Sequence, residues 1–191
     1  MKNDRAILVA FFILFFMSGA TGIIYESLWT HYLKMFLGHS SYAQTLVLVL
    51  FMGGLAIGSW ITSQYRVSRP LVLYALVEAA IGIFALAFHT VFTSVVDITY
   101  HNLLPLFQHA AAIEVLKWVI ASSLILPAAI ALGSTFPLMV TGLIRAFDLP
   151  AGKLVSLLYF CNSFGAAVGV LVSGFWLIDE LGFPGTMLLA G

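Results

Sequence analysis

The chain has 191 residues, of which 62% are hydrophobic and 8% charged, and its formal net charge is zero. Mean hydropathy is +1.07. A water-soluble domain could not cover so much apolar surface with so few charges, so the solvent it is written for is a bilayer. Zero net charge gives no basic footprint for nucleic acid. The single cysteine, Cys161, excludes an internal disulfide and a Cys-rich zinc site, and reads as a small packing residue in an apolar run. The expected fold is all-α: one polytopic transmembrane bundle over residues 1–191, with no soluble domain.

Lys2 and Arg5 precede an apolar run, and Ser18-Gly19-Ala20 resembles a signal-peptide cleavage region. The hydrophobic pattern resumes at Ile23 and continues to Trp29, which favours a retained first helix. About 20 apolar residues cross a bilayer core. By that measure five full spans are expected: Ala6 to Leu33, Tyr42 to Thr62, Pro70 to His89, Ala112 to Ile144 and Leu154 to Ile178. A sixth begins near Phe183 and stops at Gly191, too short to span, so the chain reads as the N-terminal part of something longer.

Lys and Arg assign the sides. With the N-terminus in the cytoplasm, Lys2, Arg5, Arg66, Arg69, Arg145 and Lys153 all lie inside, and only Lys34 and Lys117 lie outside. The expected location is the plasma (inner) membrane, multi-pass, with the N-terminus cytoplasmic. The outer loop from Thr90 to Ala111 has no Lys or Arg, and its apolar residues around Pro105 imply a short interfacial helix. The loop from Arg66 to Arg69 looks like a shortened form of the basic loop between spans two and three of facilitators. It serves topology, with docking to anionic lipid or a cytosolic partner as a further role.

A GxxxG pattern occurs twice, as Gly54 to Gly58 in the second span and Gly165 to Gly169 in the fifth, each pair of counterparts 111 residues apart. Glycines four apart flatten one helix face, so that two backbones approach closely. The plain reading is ordinary membrane packing. The sharper reading is a three-plus-three inverted repeat, with units at about 6–89 and 112–191, the building block of one half of a major-facilitator transporter. Span one (Ser18 to Gly22) and span four (Gly133 to Pro137) also share a small, polar, Gly-containing interruption.

Five segments read together carry a resemblance. They are Ser18-Gly-Ala-Thr-Gly-Ile-Ile-Tyr-Glu-Ser-Leu-Trp29, Phe51-Met-Gly-Gly-Leu-Ala-Ile-Gly-Ser59, Leu73-Tyr-Ala-Leu-Val-Glu78, Leu132-Gly-Ser-Thr-Phe-Pro-Leu-Met139 and Tyr159-Phe-Cys-Asn-Ser-Phe-Gly-Ala-Ala-Val-Gly169. In order and spacing the chain resembles the membrane region of the multi-span spermidine-synthase-like proteins. The resemblance implies a facilitator-like bundle, commonly followed by a cytosolic aminopropyltransferase-type domain. That enzymatic part is Rossmann-like, with a glycine-rich nucleotide loop and catalytic aspartates. Asp4, Asp97, Asp148 and Asp179 sit in the N-terminal tail or between spans, so aminopropyl transfer carries over to no residue here.

An ionisable residue at membrane depth is a functional candidate. Glu78 lies about 12 Å beyond Pro70 and Asn162 about 13 Å beyond Lys153 at 1.5 Å per residue. An amide facing that carboxyl group would satisfy it in either protonation state. The pair reads as an interhelical clip or as a proton or cation site. Glu26, on span one, and Lys117, in span four with Glu114 at i−3, read as an ion pair across helices, half-solvated or facing a cavity. His31, His39, His89, His101 and His109 all fall on the outer side, with most of the Tyr and Trp, which reads as an aromatic belt rather than a haem or metal site.

Two functions remain. One is a membrane anchor or accessory subunit without catalysis of its own and without a cofactor or metal. The other is a half-transporter or small-cation (polyamine or proton) binding bundle using Glu26 and Glu78. The partners implied are lipid and a cytosolic aminopropyltransferase-like domain, a second copy or a larger membrane complex.

Overall fold

The computed structural model describes residues 2–147 and 150–191, with side chains from Arg5 onward. Asp148 and the side chains of Lys2 and Asp4, which enter the sequence-based topology, lie outside the described residues. Among the described residues the chain is helical and contains no strand. Five helical stretches are long and apolar enough to cross a membrane, as in a multi-pass membrane protein.

Helix α1 runs over Lys2–Leu37 and ends where Gly38 takes a left-handed φ of 80°, which glycine adopts without a side-chain clash. Helix α2 (Ser40–Gln64) follows at once. Helix α3 (Pro70–Ile98) starts on Pro70, whose missing N–H is no loss in a first turn. Helix α4 (Ala110–Phe147) contains Pro127 and Pro137, and α5 spans Ala151–Val172. A π-helical turn, Ser173–Leu177, leads into α6 (Ile178–Ala190). Within α6, Gly182 adopts a φ of 66°, and the chain folds back there. Phe183 then packs tilted against the rings of both His31 and Tyr32, while the Tyr25 hydroxyl donates to the Ala190 carbonyl at 2.7 Å. Residues 183–190 therefore run antiparallel to α1.

One expectation about the third span is corrected. The segment after His89 is not a separate interfacial helix. Helix α3 continues to Ile98, through a π-helical turn at Thr99–Leu103, and stops in a 3-10 turn at Leu104–Leu106. Thr90 to Asn102 holds no Gly or Pro to break a helix, and Pro105 is the first residue that does. The third apolar helical stretch thus extends well past residue 89, over Pro70–Leu106.

Two apolar clusters fill the bundle. The larger gathers Trp29, Tyr32, Phe36, Phe88 and Phe92 with Ile125 from α4. The smaller, nearer the N-terminal end of α1, joins Phe15 and Tyr74 to Leu138, Leu143 and Leu158. Many other large side chains, such as Val49, Trp60, Ile83 and Phe175, remain on the outside. That is the pattern of a bundle whose outer surface meets lipid rather than water.

Candidate functional site

Helices approach one another closely at several glycines. A Cβ on Gly54 would collide with Ala129, and one on Gly58 with the Ile130 carbonyl, both on α4. A Cβ on Gly165 would meet the Phe16 carbonyl, and one on Gly169 would lie 2.8 Å from the Ala20 Cα, both on α1. In both seams residue numbers rise together, so α2 runs parallel to α4 and α5 parallel to α1. Gly133 of α4 is pressed in turn against the Leu55 carbonyl, and Gly19 of α1 against Asn162 of α5.

Pro137 has no N–H to give to the Gly133 carbonyl, which leaves that oxygen free inside the apolar seam. Ser59 of α2 replaces the missing donor, its Oγ reaching the Gly133 oxygen at 2.7 Å. A helix interruption in one span is thereby satisfied by the hydroxyl that follows the GxxxG of another.

Glu78 faces α1. Ser18 Oγ donates to its Oε1 at 2.6 Å. The carboxylate is half-buried and lines a cleft of about 400 Å³ between α1, α3 and the end of α6, together with Thr21, Tyr25 and Tyr74. No Lys, Arg or His lines it among the described residues. Such a cleft supplies one anionic acceptor and several hydroxyls in apolar walls. It is chemically suited to a small cation or a proton.

Asn162 is not the partner of Glu78. It packs on Gly19 and lines a second cleft, of about 280 Å³, on the other side of α1 with Ser59, Thr135 and Phe136. Depth along the membrane placed the two residues at one level, but α1 stands between them. Ser18 lines both clefts.

Glu26 and Lys117 do not form an ion pair. The Lys117 ammonium donates to the Tyr100 hydroxyl at 2.9 Å and sits over the Tyr100 and Phe36 rings, 4.8 and 5.8 Å from their centroids. Tyr100 in turn donates to the Phe36 carbonyl at the end of α1, at 2.9 Å. This cation–π contact satisfies Lys117 without a carboxylate. Glu114 is exposed one turn away, and Glu26 is half-buried on α1. His101 Nδ1 lies 3.0 Å from a carboxylate oxygen of Asp97, one turn earlier on an exposed face. His89 Nδ1 lies 2.9 Å from the Tyr32 hydroxyl, and His31 Nδ1 lies 2.8 Å from the Ser27 carbonyl. Cys161 is half-buried on α5.

Sequence reasoning did not single out Ser18, Ser59 and Tyr100 as partners. A signal existed for two of them. Ser18 opens the small, polar interruption of span one, and Ser59 follows directly on Gly58. Comparison with protein-family models, curated proteins and solved structures finds no match.

Proposed function

We propose that this chain is a non-catalytic membrane module: a rigid half-bundle of major-facilitator type that serves as an anchor or accessory subunit. The observation that carries this reading is the pair of glycine seams. The second helix of the first unit packs on the first helix of the second unit, α2 on α4. The second helix of the second unit packs on the first helix of the first, α5 on α1. The contact of α3 with α4 has a weaker counterpart in α6 with α1, whereas α1 packs on α2 more extensively than α4 does on α5. Exchange of this kind is what a three-plus-three inverted repeat produces. It welds the units into one body, because backbones in contact leave no side chain to yield.

The five quoted motifs support placing the module beside the membrane region of the spermidine-synthase-like proteins, with a cytosolic aminopropyltransferase-like domain, a second copy or a larger complex as its partner. The Lys and Arg distribution supports the plasma (inner) membrane with a cytoplasmic N-terminus. The test is transport. Proteoliposomes holding the purified chain are expected to take up radiolabelled spermidine no faster than empty liposomes. Saturable uptake would overturn the anchor reading.

The Glu78 cleft favours a second reading, binding of a small cation without passage. A carboxylate at membrane depth is costly, and a bare anchor has no need of one lining a cleft. Equilibrium dialysis of spermidine against the chain in nanodiscs is expected to give saturable binding that Glu78→Gln weakens at least about tenfold. Equal binding by both proteins would remove Glu78 from the site.

A further inference from the structure

At the end of the bundle where α2 and α4 finish, a third cleft of about 420 Å³ opens between α2, the following loop and α4. Two guanidinium groups, from Arg66 and Arg145, line its polar side with the hydroxyl-bearing Thr62 and Thr141. Phe136, Pro137, Leu138 and Val140 line the rest. Arg145 Nη1 donates to the Val67 carbonyl at 2.7 Å, which pins the loop against α4 and fixes the shape of the cleft. One such bond leaves most of the five guanidinium N–H donors of Arg145 available. Arg66 is exposed and makes no side-chain hydrogen bond among the described residues.

We propose that this cleft is a binding site for one anionic phospholipid, whose phosphate sits between Arg66 and Arg145 and whose acyl chains run along Phe136 and Val140. Three observations converge on that occupant. The charge is complementary to a phosphate diester, which guanidinium groups bind through paired N–H donors. The cleft lies at the ends of two spans, the level of the headgroups. Its apolar wall continues into the bundle from the charged mouth, and a free phosphate has no use for that wall. A soluble anion shares the first feature alone.

Native mass spectrometry of the detergent-purified chain, titrated with dioleoylphosphatidylglycerol or dioleoylphosphatidylcholine, tests the proposal. The anionic lipid is expected to saturate at one copy and the zwitterionic lipid to bind more weakly. Arg66→Gln removes a charge from an exposed side chain that makes no side-chain hydrogen bond among the described residues, and the variant is expected to fold as wild type does. It is expected to weaken phosphatidylglycerol binding about fivefold, the loss of about 1 kcal/mol for one charge near a membrane surface. Lys153→Gln, exposed near the start of α5 and outside the cleft, is expected to leave that affinity within about twofold of wild type. Arg66→Gln with wild-type affinity would overturn the site. So would a loss in Lys153→Gln equal to that in Arg66→Gln, since binding would then follow overall charge. Displacement of the lipid by millimolar inorganic phosphate would overturn the lipid as occupant.

Discussion

The two sides of α1 meet their neighbours in opposite ways. Towards α5, Gly165 and Gly169 bring backbone against backbone at Phe16 and Ala20. Towards α3, the helices stand apart around a cleft of about 400 Å³, bridged by the hydrogen bond from Ser18 to Glu78. The first contact rests on the absence of side chains, so any added atom must displace a helix. The second rests on polar side chains in partly open space, so its chemistry can change while the helices stay in place. Within one helix, then, the side that specifies the fold and the side offering a site are separable by substitution.

The largest effect is expected at the seams. Gly58→Leu or Gly169→Leu inserts a branched side chain where a single Cβ already collides. Overpacking costs about 1–3 kcal/mol where neighbours can adjust, and backbone neighbours adjust poorly. Either variant should show sharply lower folded yield after detergent extraction, measured by fluorescence size-exclusion chromatography. Wild-type yield from both would dissolve the contrast between the two sides.

On the open side, Glu78→Gln keeps an oxygen that accepts from Ser18 and removes only the charge. Its unfolding temperature should stay close to that of wild type, while any cation binding in the cleft is lost. A collapse in stability instead would make Glu78 a structural tie and erase the distinction. A smaller effect is expected at Ser59. Ser59→Ala leaves the Gly133 carbonyl without its substitute donor, and interhelical hydrogen bonds in membranes average about 0.6 kcal/mol. The same substitution combined with Pro137→Ala, which restores a backbone N–H, should recover most of that loss in a thermal-shift assay.

Much of this arrangement was readable from residue order. Long apolar runs located the spans, because a bilayer demands length and apolarity from each segment independently of its neighbours. Glu78 stood out for the same reason, as a carboxylate inside such a run. Its partner did not, since depth along a span says nothing about which helices share a side, and α1 came to lie between Glu78 and Asn162. The Lys117 expectation failed through an earlier step. Ending the third span at His89 assigned Tyr100 to a surface loop. Once α3 and its π-helical turn carry Tyr100 over the end of α1, Lys117 has an aromatic partner and no need of Glu26. The glycine pairs announced close packing, but the choice of α4 for one and α1 for the other is a tertiary fact.

The seams can be probed most directly with two neighbouring glycines. Gly53 and Gly54 share a helix turn, yet a Cβ on Gly53 meets nothing within 4 Å whereas one on Gly54 strikes Ala129. Alanine also favours a helix by about 0.8–1.0 kcal/mol over glycine, so that term is common to both sites. Thermal unfolding of Gly53→Ala and Gly54→Ala in the same nanodiscs isolates the contact from the propensity. The interlocked bundle requires Gly53→Ala to match or exceed wild type and Gly54→Ala to fall clearly below it. Equal unfolding temperatures for the two variants would contradict the packing of α2 on α4, and with it the rigid module.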